Sequence, residues 1–234
     1  MKYMGSKNRI AKYIVPIMLN EASKHGISTW VEPFVGGANT IDKVPDRFTK
    51  YGYDLNPHTI SALIGIRDCV NNLPLEITEE YYNSIRDSKP DKINSLILFG
   101  ASFGGKFNAG FARGKTNTGV SRDYWKETIR NAKKQSPKIQ GLEFQVADYR
   151  TLSFENSLIY CDPPYKGTSG YKTGNFDHNE FFSWCVKQKE LGNVVFVSEY
   201  DAPFEEVWRG EIKTNFASSR KAATHTAIEK LYKV

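Results

Sequence analysis

Cys161, Asp162, Pro163, Pro164 and Tyr165 follow directly on the apolar run Ser157 to Tyr160. A carboxylate at the carboxyl end of a buried strand stands where open α/β sheets place their ligands. Two consecutive prolines hold the backbone extended and remove its N–H groups, which leaves the nearby carbonyls as acceptors. An exocyclic amine on a nucleobase needs such acceptors before it can attack a methyl sulfonium, because its lone pair is delocalised into the ring and it carries two N–H donors. Asp162 and the Pro163 carbonyl, with Pro164 fixing the turn, would accept both hydrogens and aim the lone pair, while Tyr165 stacks on the base. Asp162 need not be a strong base, since the amine turns acidic only after it has gained the methyl and a positive charge. Read by themselves, the same residues also fit a strand end, a proline turn and a packing tyrosine.

Two other segments bear on that choice. Val31, Glu32, Pro33, Phe34, Val35, Gly36 and Gly37 end a strand in a glycine turn, and Asp54 ends the next strand near the interval expected of a ribose-binding acid. Both suit an adenosine-containing cofactor. At the amino end, Lys2, Tyr3, Met4, Gly5, Ser6 and Lys7 put a lysine beside a helix start, a setting for a carboxylate or for a solvated basic end.

These groups need a frame. With 234 residues, the chain can bury one substantial core with an inserted subdomain. Ser6 precedes apolar residues at helical spacing (Ile10, Tyr13, Ile14, Ile17, Met18), Gly26 suits a C-terminal cap, and Pro16 should kink or divide that helix. Strand-like runs follow at Ser28 to Val31, Lys50 to Asp54, Leu142 to Val146, Ser157 to Tyr160 and Val194 to Ser198. Glu211 to Phe216 and Ala227 to Val234 could pair as an edge hairpin. The grammar is that of a Rossmann-like α/β sheet, 1–56 and 142–234, interrupted by an insert over 57–141.

No apolar run is long enough to span a bilayer and the start lacks a secretory signal, so a cytoplasmic protein is expected. Three dispersed cysteines and four unpaired histidines indicate neither a disulfide framework nor a metal site. A net charge of +6 admits an anionic partner, and its distribution is more telling than its size. Between Ala101 and Gln140 nine basic residues face two acidic ones, which leaves the rest of the chain close to neutral.

Taken together, KYMGSK, VEPFVGG, the YDLNP that holds Asp54, and DPPY resemble the Dam-type (D12 class) adenine-specific DNA methyltransferases, in the order of that family and over almost the whole chain. The resemblance implies a class I methyltransferase sheet with a mostly helical target-recognition insert. It implies S-adenosyl-L-methionine as cofactor, with Tyr3 and Lys7 at its methionine end, Phe34, Val35 and Gly36 lining its pocket, and Asp54 on the ribose. Asp148 and Tyr149, in VADYRTL, would flank the cofactor adenine, with Asp162 bordering the cofactor as well, and Phe176 would lie near a flipped base. Two departures stand out. Ala38 occupies a position where many relatives have a second glycine, leaving a methyl close to the cofactor, and Ser198 and Glu199 replace an asparagine common in the strand after DPPY.

An amine inside a duplex is not accessible for in-line attack on the methyl group, so the implied partner is double-stranded DNA with its target adenine extruded, at a cost of a few kcal/mol. FGASFGGKFNAGFARGKTNTG resembles the family's recognition hairpin, with Lys106, Asn108, Arg113, Lys115 and Asn117 as candidates for phosphate or base contact and Arg113 for reading a guanine. Any one of them could equally be a solvated surface residue. The expected actor is a monomer or weak dimer on DNA, in a bacterial or phage-infected cell. Three alternatives stay open: an N4-cytosine methyltransferase, whose amine needs the same acceptors; a DNA-binding relative without catalysis; and, more remotely, a nicotinamide dehydrogenase. Attack at cytosine C5 is disfavoured because Cys161 lies before the prolines.

Overall fold

The computed structural model describes residues 1–116, 118–165, 176–216 and 223–234, with side chains left undescribed at 212–216 and 223–227. A seven-stranded sheet carries β1 (Thr29–Glu32), β2 (Thr49–Asp54), β3 (Glu143–Val146), β4 (Leu158–Cys161), β5 (Val194–Ser198), β6 (Glu205–Phe216) and β7 (Ala223–Lys233), in the order β3-β2-β1-β4-β5-β7-β6. The first five are parallel, and β7 runs antiparallel to both β5 and β6. Helices α1 (Ala11–Lys24), α2 (Pro57–Cys69), α3 (Glu79–Ser84), α4 (Lys92–Gly100), α5 (Tyr124–Gln135) and α6 (His178–Glu190), with short 3-10 turns between elements, accompany the strands.

Alternation along the strands produces two cores. Trp30, Leu158, Tyr160, Val194 and Phe196 point to one face, where they join residues of α1, α2, α4 and α5. Their neighbours Val31, Ile159, Cys161, Val195 and Val197 point to the other, under Phe181, Trp184 and Cys185 of α6. A strand covered on both faces must be apolar throughout, which is why LIYC and VVFVS are buried at every position. The expected Rossmann-like α/β sheet is therefore present, with helices on both sides.

Three local expectations change. Ser6 caps a short 3-10 turn, Lys7–Arg9, instead of α1 itself. Helix α1 runs through Pro16 undivided. Both Pro16 and Lys12, whose carbonyl loses its helical donor, are exposed, so water can serve that carbonyl. The edge hairpin is also longer than expected, beginning at Glu205, with a bulge between Glu206 and Trp208.

Within 57–141, α2 packs on α4 and against β2 and β3. Apart from a 3-10 turn at Phe103–Gly105, the described residues of 101–123 form no helix or strand and are pinned by bridges between Ser102 and Phe111 and between Lys115 and Ser121. Among the described residues no helix is long and apolar enough to cross a membrane.

Candidate active site

Each parallel strand from β1 to β5 delivers a group to the same edge of the sheet. Glu32 ends β1, Asp54 ends β2, Asp148 follows β3, Asp162 follows β4 and Glu199 follows β5. Antiparallel β7 pairs Leu231 with Ser198, so Glu229, two residues earlier, also lies beyond the end of β5.

At the centre is a charge cluster. The Lys7 ammonium sits 3.1 Å from Asp162 Oδ1, 3.5 Å from Glu229 Oε2 and 4.4 Å from the centre of the Tyr165 ring. It also donates to the Gly5 carbonyl at 3.2 Å. The Tyr165 hydroxyl donates to Glu229 Oε2 at 2.8 Å. One lysine is thus shared between two carboxylates. Burial pushes the Asp162 carboxyl up to about 6, and although Lys7 pulls it down, Glu229 and Glu199 push it up again. Burial disfavours the Lys7 ammonium, but Asp162 and Glu229 outweigh that and hold it above the ordinary lysine value.

The glycine loop lies alongside. Gly36 has φ +47°, and a Cβ placed there would meet Tyr3 Cε1 at 3.0 Å, so only glycine lets the Tyr3 ring lie on the loop. Asp54 Oδ2 accepts from the Gly36 N–H at 3.1 Å and Oδ1 from the Asn56 N–H at 2.9 Å. Burial pushes Asp54 up to about 6 in spite of these two donors. Asp162, Lys7, Tyr3, Gly36 and Asp54 are therefore linked by one chain of contacts, through the short segment from Tyr3 to Lys7.

Phe34 and Tyr149 pack with ring centroids 5.3 Å apart, and Phe176 lies 5.9 and 5.7 Å from them. Val35 turns its side chain into the main core, leaving its backbone to the loop. Asp148 accepts from Arg150 through both carboxylate oxygens and caps the turn Tyr149–Thr151. Ala38, at φ +53°, is fully buried, and its methyl belongs to the core beneath the loop instead of the open edge. Cys161 is buried, and burial together with Cys185 pushes its thiol well up, the opposite of what a nucleophile needs.

The candidates in the insert are scattered. Lys106 and Lys115 are exposed. Arg113 is exposed and paired with Glu79. Asn108, at φ +52°, is engaged with Arg86: its Oδ1 accepts from Arg86 Nε at 2.8 Å and its Nδ2 donates to the Arg86 carbonyl at 3.0 Å. Asn117 falls outside the described residues. The loop nonetheless abuts the site, since a Cβ on Gly105 would lie 3.1 Å from Lys2 Cγ and 3.3 Å from the Tyr3 nitrogen.

Four residues that residue-by-residue reading did not single out for this site are Glu32, His178, Glu199 and Glu229. Glu32 is buried, accepts from Trp30 Nε1 at 3.0 Å, and burial holds its carboxyl well above the usual range. Glu32 and Glu199 share the pattern that exposed Asp54 and Asp162, an acid closing an apolar strand.

Comparison with known proteins agrees with the geometry. The family model for D12 class N6 adenine-specific DNA methyltransferase matches residues 3–221. The Type II methyltransferase M.FokI of Planomicrobium okeanokoites is 22% identical over 209 residues, covering 75% of this chain, which spans only 30% of that relative's length. Among solved structures, the rRNA methyltransferase aviRa of Streptomyces viridochromogenes covers 99% of this chain and 86% of its own at 13% identity and a TM-score of 0.49. A protein of Thermoplasma acidophilum covers 95% and 87% at 10% identity and a TM-score of 0.45. At those scores neither likeness bears on function. With a match running from Tyr3 through DPPY into the terminal hairpin, the chain belongs to the D12 class N6 adenine-specific DNA methyltransferases.

Proposed function

We propose that this chain methylates the N6 amine of adenine in double-stranded DNA, using S-adenosyl-L-methionine, with the base swung out of the helix. The observation that carries the reading is the chain of contacts from Asp162 through Lys7 and Tyr3 to Gly36 and Asp54. A fit to the cofactor is supported by three features: the Gly36 turn tied to Asp54, the packed rings of Phe34 and Tyr149 beside it, and the excess of carboxylates over Lys7, which suits a sulfonium. When bound, the cofactor supplies the electrophilic methyl group.

The remaining work falls to the protein. Asp54 keeps a lone pair on each oxygen for ribose hydroxyls while tying down Gly36, and Tyr3 covers the loop. Asp162, ionised, accepts one hydrogen of the adenine amine and the Pro163 carbonyl accepts the other, which orients the nitrogen lone pair. Lys7, bonded to Asp162, keeps that carboxyl ionised near neutral pH. Tyr165, with Lys7 over its ring at 4.4 Å, is assigned to the base. Once the amine has gained the methyl it carries positive charge, which Asp162 and Glu229 stabilise until its proton leaves.

In this reading 1–56 and 142–234 carry catalysis and 57–141 reads the target, with α2 and α4 also flooring the sheet. Exposed Lys106 and Lys115 are assigned to phosphates and Arg113 to a guanine, which requires it to leave Glu79. Asn108 is assigned to shaping the loop that carries them. A protein acting on bacterial or phage DNA works in the cytoplasm, as a monomer or weak dimer.

The test is to incubate the protein with methyl-labelled cofactor and duplex DNA, digest to nucleosides and identify the product. N6-methyladenine is expected. N4-methylcytosine would transfer the reading to the rival amine, and no incorporation would reduce the chain to a binding relative.

A further inference from the structure

The tripeptide after the apolar run of β5 is Ser198, Glu199 and Tyr200. Ser198 and Tyr200 turn toward the Tyr160–Tyr165 stretch, and Glu199 reaches it through His178. The Ser198 hydroxyl, fully buried, lies 2.8 Å from the Tyr160 hydroxyl on β4. The Tyr200 ring meets the Tyr165 ring edge-on, with centroids 4.6 Å apart and planes at 78°. Glu199 has no exposed surface, and its Oε2 lies 3.4 Å from His178 Nε2. That same nitrogen lies 3.2 Å from the carbonyl oxygen of Pro164.

The chemistry of the imidazole is constrained by this placement. Nε2 lies within hydrogen-bond reach of the Pro164 carbonyl, which can only accept, so it carries the hydrogen. Glu199 Oε2, at 3.4 Å, draws the same N–H by charge and so favours that tautomer and the ring's direction, as carboxylates do for histidines in other sites. His178 itself begins α6, and its ring packs edge-on against Phe176 at 5.0 Å, so its position is held from three sides. A buried carboxylate is costly for stability unless well paired. It is therefore a poor device for packing and a good one for orientation.

We propose that His178 and Glu199 are a positioning pair: Glu199 orients the imidazole, and the imidazole holds the Pro164 carbonyl so that Asp162 and the Pro163 carbonyl keep their spacing as the two acceptors for the amine. This rests on methyl transfer at Asp162. Neither residue touches the reacting atoms. Their effect passes through the backbone of the motif, where a displacement of about 1 Å can cost about a hundredfold in rate.

Substitutions at position 178 separate this role from packing. Glutamine can bring an amide nitrogen near the place of Nε2, whereas asparagine brings one near Nδ1 and alanine brings none. Single-turnover methylation would be measured on DNA carrying the target sequence found by modification-sensitive sequencing, alongside calorimetric cofactor affinity and thermal melting. His178→Ala and His178→Asn are expected to slow transfer by about ten- to a hundredfold with cofactor affinity within about twofold of wild type, while His178→Gln recovers most of the rate. Glu199→Gln is expected to slow transfer alone but to add little to His178→Ala, because both act through one contact. Equal losses in the alanine, asparagine and glutamine variants, or cofactor affinity and melting falling in step with rate, would overturn the pairing in favour of packing. Wild-type protein that methylates DNA with all His178 variants unimpaired would overturn this inference alone. Wild-type protein that transfers no methyl would remove the proposed function and the inference with it.

Discussion

Asp162 is governed by opposing neighbours, so its titration can be moved in either direction by changing one of them. Lys7→Met keeps most of the apolar stem and removes the charge 3.1 Å from Asp162 Oδ1. At that distance Coulomb's law gives about 1 kcal/mol in water and about 5 kcal/mol at an effective dielectric constant of about 20. Because the Asp162 side chain is 21% exposed, the lower part of that range applies, and an upward shift of about one to two pH units is expected. Glu229→Gln removes a negative charge instead and is expected to shift Asp162 downward from its value of about 6. Only the ionised carboxylate accepts the amine hydrogen without offering one of its own, so kcat/KM falls as pH drops through the Asp162 value in the free protein. The assay is kcat/KM for methyl incorporation from pH 5 to 9. Wild type should lose activity near pH 6, Lys7→Met should lose it between about pH 7 and 8, and Glu229→Gln should still lose it near pH 6 but along a shallower limb, since only Asp54 then titrates there. Asp54, also at about 6, contributes a second acid limb that neither change moves, which serves as an internal reference. Acid limbs that stay together in all three proteins would refute the assignment of Lys7 and Glu229 as the groups that set Asp162.

Further outcomes follow from the same geometry. Gly36→Ala forces a side chain into φ +47° against Tyr3 at 3.0 Å, and is expected to cost about 1–2 kcal/mol of stability and to weaken cofactor binding, read by melting and calorimetry. Asp54 and Asp162, both raised to about 6, add stability that is full below the unfolded aspartate value near 4 and is lost as pH rises through about 6. Urea unfolding of the cofactor-free protein should therefore show a decline from about pH 4.5 to 7 of at most a few kcal/mol, whereas a rise over that window would contradict both values. Arg113→Ala breaks an exposed pair with Glu79 and should change stability by less than about 1 kcal/mol while relaxing the choice of base at one position of the target. If it weakens binding equally on all sequences, Arg113 contacts phosphate only.

The fold was legible wherever burial leaves a one-dimensional trace. Strands covered on both faces read as apolar runs, and Val194 to Ser198 matches its strand end to end. The edge hairpin was legible only in part, because Glu205, Glu206 and Arg209 on its outer strand carry no apolar alternation. Pro16 misled for a physical reason: a missing donor divides a helix only if the stranded carbonyl cannot reach water. Within the site, DPPY was legible because its chemistry is local to consecutive residues. Lys7 was legible as a cation but not as the partner of Asp162, since that contact joins the first turn of the chain to the fourth strand. Glu229 and His178 meet the motif only through tertiary packing, and nothing in their immediate neighbours marks them. Glu199 and Glu32 did carry a signal, the acid that closes an apolar strand, and extending that rule to every strand would have found them. Asn108 and Arg113 show the limit of reading by residue type, because each is already engaged, with Arg86 and Glu79.

The measurement closest to the centre of this account is single-turnover methyl transfer by Asp162→Asn beside wild type, with cofactor and DNA affinity measured on the same preparations. The substitution keeps the shape of the side chain and removes the negative charge that accepts the amine hydrogen. Transfer is expected to fall by at least about a hundredfold while both ligands still bind. Equal transfer by the two proteins would contradict the role of that carboxylate and the mechanism built on it.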